Sequence, residues 1–133
     1  MNSAAAIEAL LVEAGATSIM KWYEEKRCVG FLFQLTLNGQ PVTFRLPAHE
    51  ARVVQLMLKQ ARNPDATKRA SIRAQAQRTA WRTLHELVQI QVAMIQLQQV
   101  QPLEAFLSYA YNTQNETTFY DSVESGAIKL LPG

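Results

Sequence analysis

Hydrophobic residues recur along the chain with two different periods. Over residues 3–14 they return every three to four positions, which predicts an amphipathic helix that Gly15 ends. Over residues 17–46 they alternate with polar residues, which predicts strands at 17–23, 29–37 and 40–46. After these strands the helical period returns. The pattern therefore predicts helices packed on a small sheet, an α+β arrangement.

The Asn38-Gly39 pair is the strongest local signal in this pattern. Both residues tolerate the positive φ of a type I′ turn, so the second and third strands should form a hairpin with a two-residue loop. That loop fixes the register, and the predicted pairs on one face of the hairpin are apolar. These pairs are Leu35 with Val42, Phe33 with Phe44, and Phe31 with Leu46.

The first hairpin turns within residues 24–27, and its loop length is open. A loop of two or four residues places Met20 and Trp22 on the apolar face of the second hairpin. A three-residue loop places Ile19 and Tyr23 there instead. We favour the first arrangement, which leaves the opposite face half polar, so that only one face needs a helical cover. That opposite face would then present Lys21, Tyr23 and Arg45.

Four further helices are predicted after the sheet. The first covers residues 48–61, and a turn follows at residues 63–65. Thr67 or Ser71 then caps a long helix that ends at Pro102.

The two remaining helices are short. One begins at that proline, with Phe106 and Leu107 facing inward. Thr118 and Asp121 have the spacing of a capping box for the other. The apolar tail at residues 128–131 should dock on the domain.

The second half of the long helix carries two apolar arcs on different sides. A helix of this kind must bury both arcs. One should face the sheet, and the other should face the C-terminal helices or a second protomer, which would make the chain a homodimer. The first arc consists of Leu84, Val88, Val92 and Ile95, and the second arc of Leu87, Ile90, Met94 and Leu97.

Together the elements predict a single α+β domain over residues 1–133. Its core would be a three-stranded antiparallel β-meander packed on one face by a long central α-helix and shorter helices. The predicted element order is α-β-β-β-α-α-α-α.

Charge is divided unevenly along the chain, whose net charge is +2. Residues 1–58 are neutral, residues 59–82 carry +6 and residues 83–133 carry −4. A basic segment at the head of a long helix predicts contact with DNA or RNA. The residues predicted to make this contact are Arg62, Lys68, Arg69, Arg73, Arg78 and Arg82, with Lys21, Tyr23 and Arg45 on the open sheet face as helpers.

The spacing of the basic residues limits this prediction. On a helix, Arg69 and Arg73 share one face, whereas Arg78 and Arg82 share a roughly opposite face, so no single stripe is formed. A solvated helix start, with Arg82 paired to a glutamate four residues on, explains the same charges. Trp81, in the same segment, is either a core residue or a platform for a base.

The sequence offers no chemistry that would mark an enzyme. Cys28 is the only cysteine, and His49 and His85 are the only histidines, too few ligands for a structural zinc site. Phosphate-binding, dinucleotide-binding and serine-nucleophile motifs are absent. We therefore predict a non-enzyme with no catalytic residues, no metal and no cofactor. With no apolar run long enough for a bilayer and no signal peptide, it should not contact membranes.

Four segments resemble a family of small proteins encoded by bacteriophages and prophages. They are residues 15–19 (GATSI), 44–47 (FRLP), 75–82 (QAQRTAWR) and 106–109 (FLSY). The resemblance spans most of the chain and implies a mobile element in the cytoplasm of a bacterial host cell. It implies no catalytic residues.

Two function classes follow from these observations. The first is a non-enzymatic phage or mobile-element accessory protein that contacts nucleic acid through the basic segment. The second is a protein-binding module or inhibitor that acts on a host enzyme or defence complex by occlusion. In the second class the contact surface would be the second arc or the acidic C-terminal half.

Overall fold

The computed structural model describes residues 2–130 and has the predicted element order. A short hairpin and one 3₁₀ turn near the C-terminus are additional. The elements are α1 (Ser3–Glu13), β1 (Ser18–Glu24), β2 (Arg27–Leu37), β3 (Gln40–Pro47), α2 (Glu50–Gln60), α3 (Ala66–Gln96), α4 (Pro102–Phe106), the 3₁₀ turn (Leu107–Tyr109), β4 (Tyr111–Asn112), β5 (Thr117–Thr118) and α5 (Phe119–Glu124).

The β2–β3 hairpin has the register that its turn predicts. Asn38 and Gly39 have φ values of 52° and 78°, as a type I′ turn requires. Phe33 then lies opposite Phe44, and their rings stack with centroids 5.2 Å apart. The three strands form an antiparallel meander in the order β1-β2-β3.

The prediction for the β1 side chains is wrong. The loop has two residues, Glu25 and Lys26, both with positive φ. One extra residue of β2 then lies opposite the step from Trp22 to Tyr23. This β-bulge shifts the alternation by one, because two residues of β2 face one of β1. Ile19 and Lys21, not Met20 and Trp22, therefore lie opposite Phe33 and Phe31.

Gly30, directly opposite Trp22, explains this arrangement. The Trp22 ring lies so close to Gly30 that a Cβ there would overlap it, and would also lie 2.5 Å from the Leu46 carbonyl oxygen. A glycine within a strand often marks such a close approach. Trp22 consequently lies on the open face of the sheet, the face opposite the one that α3 covers.

The core lies between the covered face of the sheet and the helices α1 and α3. The first arc of α3 is buried there as predicted, with Val88 and Val92 almost fully inaccessible. Phe106 of α4 adds an aromatic edge contact to Phe33, at a centroid distance of 5.3 Å. The larger fully buried side chains are Phe31, Phe33, Phe44, Phe106, Ile7, Leu11, Leu46, Val88 and Val92.

Helix α3 has 31 residues and is therefore about 46 Å long. It begins earlier than predicted, because it is capped by Asp65, two residues before Thr67 and six before Ser71; Asp65 accepts a hydrogen bond from the Lys68 amide at 2.8 Å. It also ends earlier than predicted, at Gln96. Helix α2 packs mainly on α3, and no residue between positions 49 and 75 is buried.

The C-terminal segment after α3 wraps around the free edge of β3. Phe106 lies in the core, Ala110 forms a β-bridge with Phe44 at the edge, and Tyr111 reaches Arg45 on the open face. The capping box of Thr118 and Asp121 forms as predicted and begins α5. Protein therefore also covers part of the open face.

Two predictions for this segment are wrong. Leu107 is 41% exposed and does not face inward. The tail does not dock, because Ile128 and Leu130 are 41% and 66% exposed, and Leu131 lies outside the described residues.

No helix in the described part of the chain is long and apolar enough to cross a membrane.

Candidate nucleic-acid interface

The structure separates the six predicted contact residues into two groups, all of them exposed. One group lies around the turn between α2 and α3, and we call it the helical tip. The other group, Arg78 and Arg82, lies two turns further along α3, beside α1. The helical tip consists of four of the predicted residues, Arg62, Lys68, Arg69 and Arg73, and of Lys59, which was not among them.

Arg78 and Arg82 line an open concave surface that we call the basic groove. Lys26 and Arg27, at the end of the β1–β2 hairpin, approach from the opposite side and complete a set of four cationic side chains. The volume of the groove is about 850 Å³, and no acidic side chain lines it. Its remaining lining residues are Asn2, Ser3, Ala4, Cys28, Ala74, Gln77 and Trp81.

The N-terminal end of α1 forms one end of the basic groove. Asn2 caps the helix by accepting a hydrogen bond from the Ala5 amide at 2.8 Å, and the first turn has no acidic residue. The positive end of the helix dipole therefore adds to the field of the four cations. An anion in the groove would meet positive charge from α1, α3 and the β1–β2 hairpin.

One wall of the basic groove is fixed by the Arg27–Glu50–Trp81 bridge. Glu50 receives a 2.7 Å ion pair from Arg27 and a 3.2 Å hydrogen bond from the Trp81 indole. The hydrogen bond to Glu50 raises the pKa of Arg27, so its charge is retained. Trp81 also packs edge-on against Phe31, with centroids 5.9 Å apart, so it is partly buried against the core while it lines the groove.

The other three groove cations have no acidic partner. Within residues 2–130, no carboxylate lies within salt-bridge distance of Lys26, Arg78 or Arg82. The expected pair between Arg82 and Glu86 does not form. The charges of Lys26, Arg78 and Arg82 are solvated rather than paired, and these side chains can therefore bind phosphates at little desolvation cost.

The three predicted helpers do not lie on one surface. Arg45 lies on the open face, with its guanidinium carbon 4.2 Å from the Trp22 ring centroid. Lys21 lies opposite Phe31, hence on the covered face, because of the bulge. Tyr23 lies opposite Cys28, which lines the groove.

Lys26 and Arg27 are groove residues that the sequence pattern did not identify. In sequence they are charged residues of a turn, far from the basic segment. They reach it because the hairpin end packs against α3 through Glu50 and Trp81. An isolated glycine at position 30 was a usable signal for the bulge, although not for this contact.

The second arc of α3 is only partly covered within the chain. Leu87 packs beside the core and Met94 is half-buried, whereas Ile90 and Leu97 are 60% and 71% exposed. The C-terminal helices therefore do not cover it. The described residues contain no group of three histidine, cysteine, aspartate or glutamate side chains that could hold a metal ion.

The fold and the site define a small α+β protein with a three-stranded meander, a long central helix and a basic groove. No protein-family model matches the chain, and no match was found among curated proteins or solved structures.

Proposed function

We propose that the chain is a non-enzymatic phage or mobile-element accessory protein that contacts DNA or RNA through the basic groove. The observation that carries this proposal is the convergence of Lys26, Arg78 and Arg82, which have no acidic partner within residues 2–130, on one concave surface beside the Arg27–Glu50 pair. Nucleic-acid affinity arises largely from cations that meet successive phosphates.

The basic residues of α3 form no single stripe, so the helix alone offers no continuous surface to a phosphate chain. Arg78 and Arg82 need no help from the opposite helix face, because the β1–β2 hairpin supplies cations facing them. The helical tip is a second contact, since its five cations are exposed around one turn and only Asp65 opposes them. A strand longer than the groove would reach from one group to the other.

The direct test is fluorescence anisotropy with a labelled oligonucleotide, single-stranded in one series and double-stranded in another, at low salt. The double variant Arg78→Gln/Arg82→Gln should weaken binding about tenfold or more, because each lost phosphate contact removes a released counterion. The matched control is Lys21→Gln/Lys129→Gln, which changes net charge equally at exposed positions outside the groove. It should weaken binding by about threefold or less.

Absence of binding to both oligonucleotides at low salt would refute the proposal. Equal losses in the two double variants would show that only net charge matters and would remove the groove as the site.

A second candidate function is a protein-binding module or inhibitor that blocks a host enzyme or defence complex. The exposure of Ile90 and Leu97 on one side of α3 favours it, because large apolar side chains there are available to a partner or to a second copy of the chain. Pull-down from host lysate with and without nuclease discriminates the two. A stoichiometric protein partner that survives nuclease and is lost in Ile90→Ser/Leu97→Ser supports this function.

A further inference from the structure

A pocket of about 680 Å³ lies between the open face of the sheet, the start of α2 and the C-terminal segment. We call it the sheet pocket. It is separate from the basic groove, but the Arg27–Glu50–Trp81 bridge lies between them, since Glu50 lines the pocket while both of its partners line the groove. The side chains that line the pocket include Trp22, Arg45, His49, Arg52, Tyr109 and Tyr120.

Arg45 is the central cation of the sheet pocket. Its guanidinium carbon lies 4.2 Å from the centroid of Trp22 and 5.6 Å from that of Tyr111. Within residues 2–130 this guanidinium makes no hydrogen bond or salt bridge to another side chain. The rings therefore hold the group in place while its donors remain available, and a planar guanidinium suits bidentate binding of an oxyanion.

No acidic side chain around the pocket forms a salt bridge with Arg45 within residues 2–130. Glu50 is paired with Arg27, and Asp121 accepts a hydrogen bond from the Thr118 amide at 2.9 Å. Glu24 and Arg52 are both exposed at the rim. Arg45 and Arg52 therefore balance Glu24 and Asp121 in charge, and the pocket is distinguished by Arg45, which two rings hold in place without an ion pair.

Two locally unfavourable features lie at the same pocket. His49 adopts left-handed backbone angles, φ 57° and ψ 40°, at the position before α2. Trp22 Nε1 is a buried donor that has no acceptor within residues 2–130, which ordinarily destabilises a fold. Such departures concentrate at binding sites, where surrounding structure holds side chains in positions that they would not adopt alone.

Aromatic rings supply the apolar part of the pocket. Tyr109 is partly buried, and Tyr120 is 50% exposed at the opening. Rings of this kind stack with nucleobases, and arginines beside them bind the attached phosphates. The two arginines, Arg45 and Arg52, therefore suit the phosphate of one nucleotide, and the two tyrosines suit its base.

We propose that the sheet pocket binds a single nucleotide, with its phosphate on Arg45 and Arg52 and its base against Tyr109 and Tyr120. The nucleotide is either a free nucleoside monophosphate or one residue of a strand held in the basic groove. The second source rests on the proposed function, whereas the first does not.

Isothermal titration with each of the four nucleoside 5′-monophosphates, and with adenosine and inorganic phosphate, tests the ligand class. At least one monophosphate should bind the wild-type protein about tenfold more tightly than adenosine or phosphate alone, because both parts contribute. Arg45→Gln should weaken that binding about tenfold or more, and Arg45→Lys should fall between, since lysine keeps the charge but loses the fork. The matched control Lys129→Gln removes an exposed cation outside both the pocket and the groove, and it should bind the monophosphate as the wild type does.

Absence of monophosphate binding at millimolar concentration, or unchanged binding in folded Arg45→Gln, overturns the proposal. Near-ultraviolet circular dichroism checks the fold of each variant. Oligonucleotide binding by Arg45→Gln then separates the sources: a loss indicates a strand residue and no change indicates a free nucleotide. If monophosphates bind and oligonucleotides do not, the nucleotide pocket stands and the proposed function fails.

Discussion

The basic groove and the sheet pocket hold their arginines in different ways. Arg78 and Arg82 are exposed on a helix and make no cation–π contact or salt bridge within the described residues. Arg45 lies between the rings of Trp22 and Tyr111. In the functions that we propose, the groove therefore provides a field that attracts any phosphate chain, whereas the pocket provides a fixed geometry that selects one group.

The comparison predicts that charge and packing contribute differently to binding at the two sites. Removing one groove cation should change affinity by a modest, salt-dependent factor, because neighbouring cations remain. Removing support from Arg45 should remove the pocket while leaving the groove intact. The variants below test this separation.

The largest effect is expected for Phe106→Ala. Phe106 is 1% exposed and contacts Phe33 and Phe44, so its loss should lower the free energy of unfolding by about 3–5 kcal/mol. It also holds the C-terminal segment that forms one wall of the pocket. Urea denaturation measures the loss. The neighbouring Leu107→Ala is the control, since Leu107 is 41% exposed and should cost less than about 1 kcal/mol. Similar losses in both would contradict the wrapped segment.

Gly30→Ala should follow, with a loss of about 2–3 kcal/mol in the free energy of unfolding. The added methyl group would overlap the Trp22 ring and the Leu46 carbonyl oxygen, and the latter cannot move without disturbing the sheet. Because Trp22 would be displaced, a folded Gly30→Ala protein should lose monophosphate binding in the pocket while the groove stays intact. Thr36→Ala, at an exposed position of the same strand, should be nearly neutral. A neutral Gly30→Ala would mean that Trp22 does not lie over the glycine.

Glu50 lies between the two sites, so its replacement should affect both. Glu50→Ala should cost about 1–3 kcal/mol, because the Trp81 indole and Arg27 lose their acceptor. Glu50→Gln should cost less, since the amide oxygen can still accept from Trp81. Both variants release Arg27 for phosphates and should tighten oligonucleotide binding by about threefold at low salt. Weaker binding in Glu50→Gln would show that the bridge positions Arg27 productively.

The smallest effect concerns His49. Partial desolvation, then the nearby Arg52 and Arg45, lower the pKa of His49 from its ordinary 6.5, and Asp121 opposes the shift only weakly. The unfolded chain therefore binds this proton more readily than the folded protein. The stability that His49 contributes is present above pH 6.5 and is lost as pH falls through that value toward the lowered pKa.

His49→Asn is the matched variant, because asparagine tolerates left-handed backbone angles and does not titrate. Urea denaturation between about pH 5 and about pH 7.5 should show a weaker pH dependence in the variant than in the wild type. Parallel curves for the two proteins would exclude His49 as a source of the pH dependence of stability.

Local signals determine how much of this molecule its sequence predicts. Asn38 and Gly39 fix one hairpin completely, since turn type and hydrophobic alternation agree. The other hairpin has a loop that the pattern allows, yet a single bulged residue reverses the face of Trp22. The distribution of charge predicts the exposed arginines of α3, and the hydrophobic periodicity predicts its first, buried arc.

The parts that the sequence did not reveal depend on contacts between distant segments. Arg27 joins the basic groove through Glu50, which lies 23 positions away, and Arg45 acquires Tyr111 only after the C-terminal segment wraps around β3. Periodicity carries no information about such contacts, because it describes one element at a time.

The most direct test of the central claim, that the basic groove contacts phosphates, is the salt dependence of oligonucleotide binding. The slope of log affinity against log salt should be smaller in Arg78→Gln/Arg82→Gln than in the wild type by about 1.4 for a single strand, or about 0.7 for each lost contact. The control Lys21→Gln/Lys129→Gln should retain the wild-type slope. A groove variant with the wild-type slope would contradict the account, because two phosphate contacts cannot be lost without releasing fewer counterions.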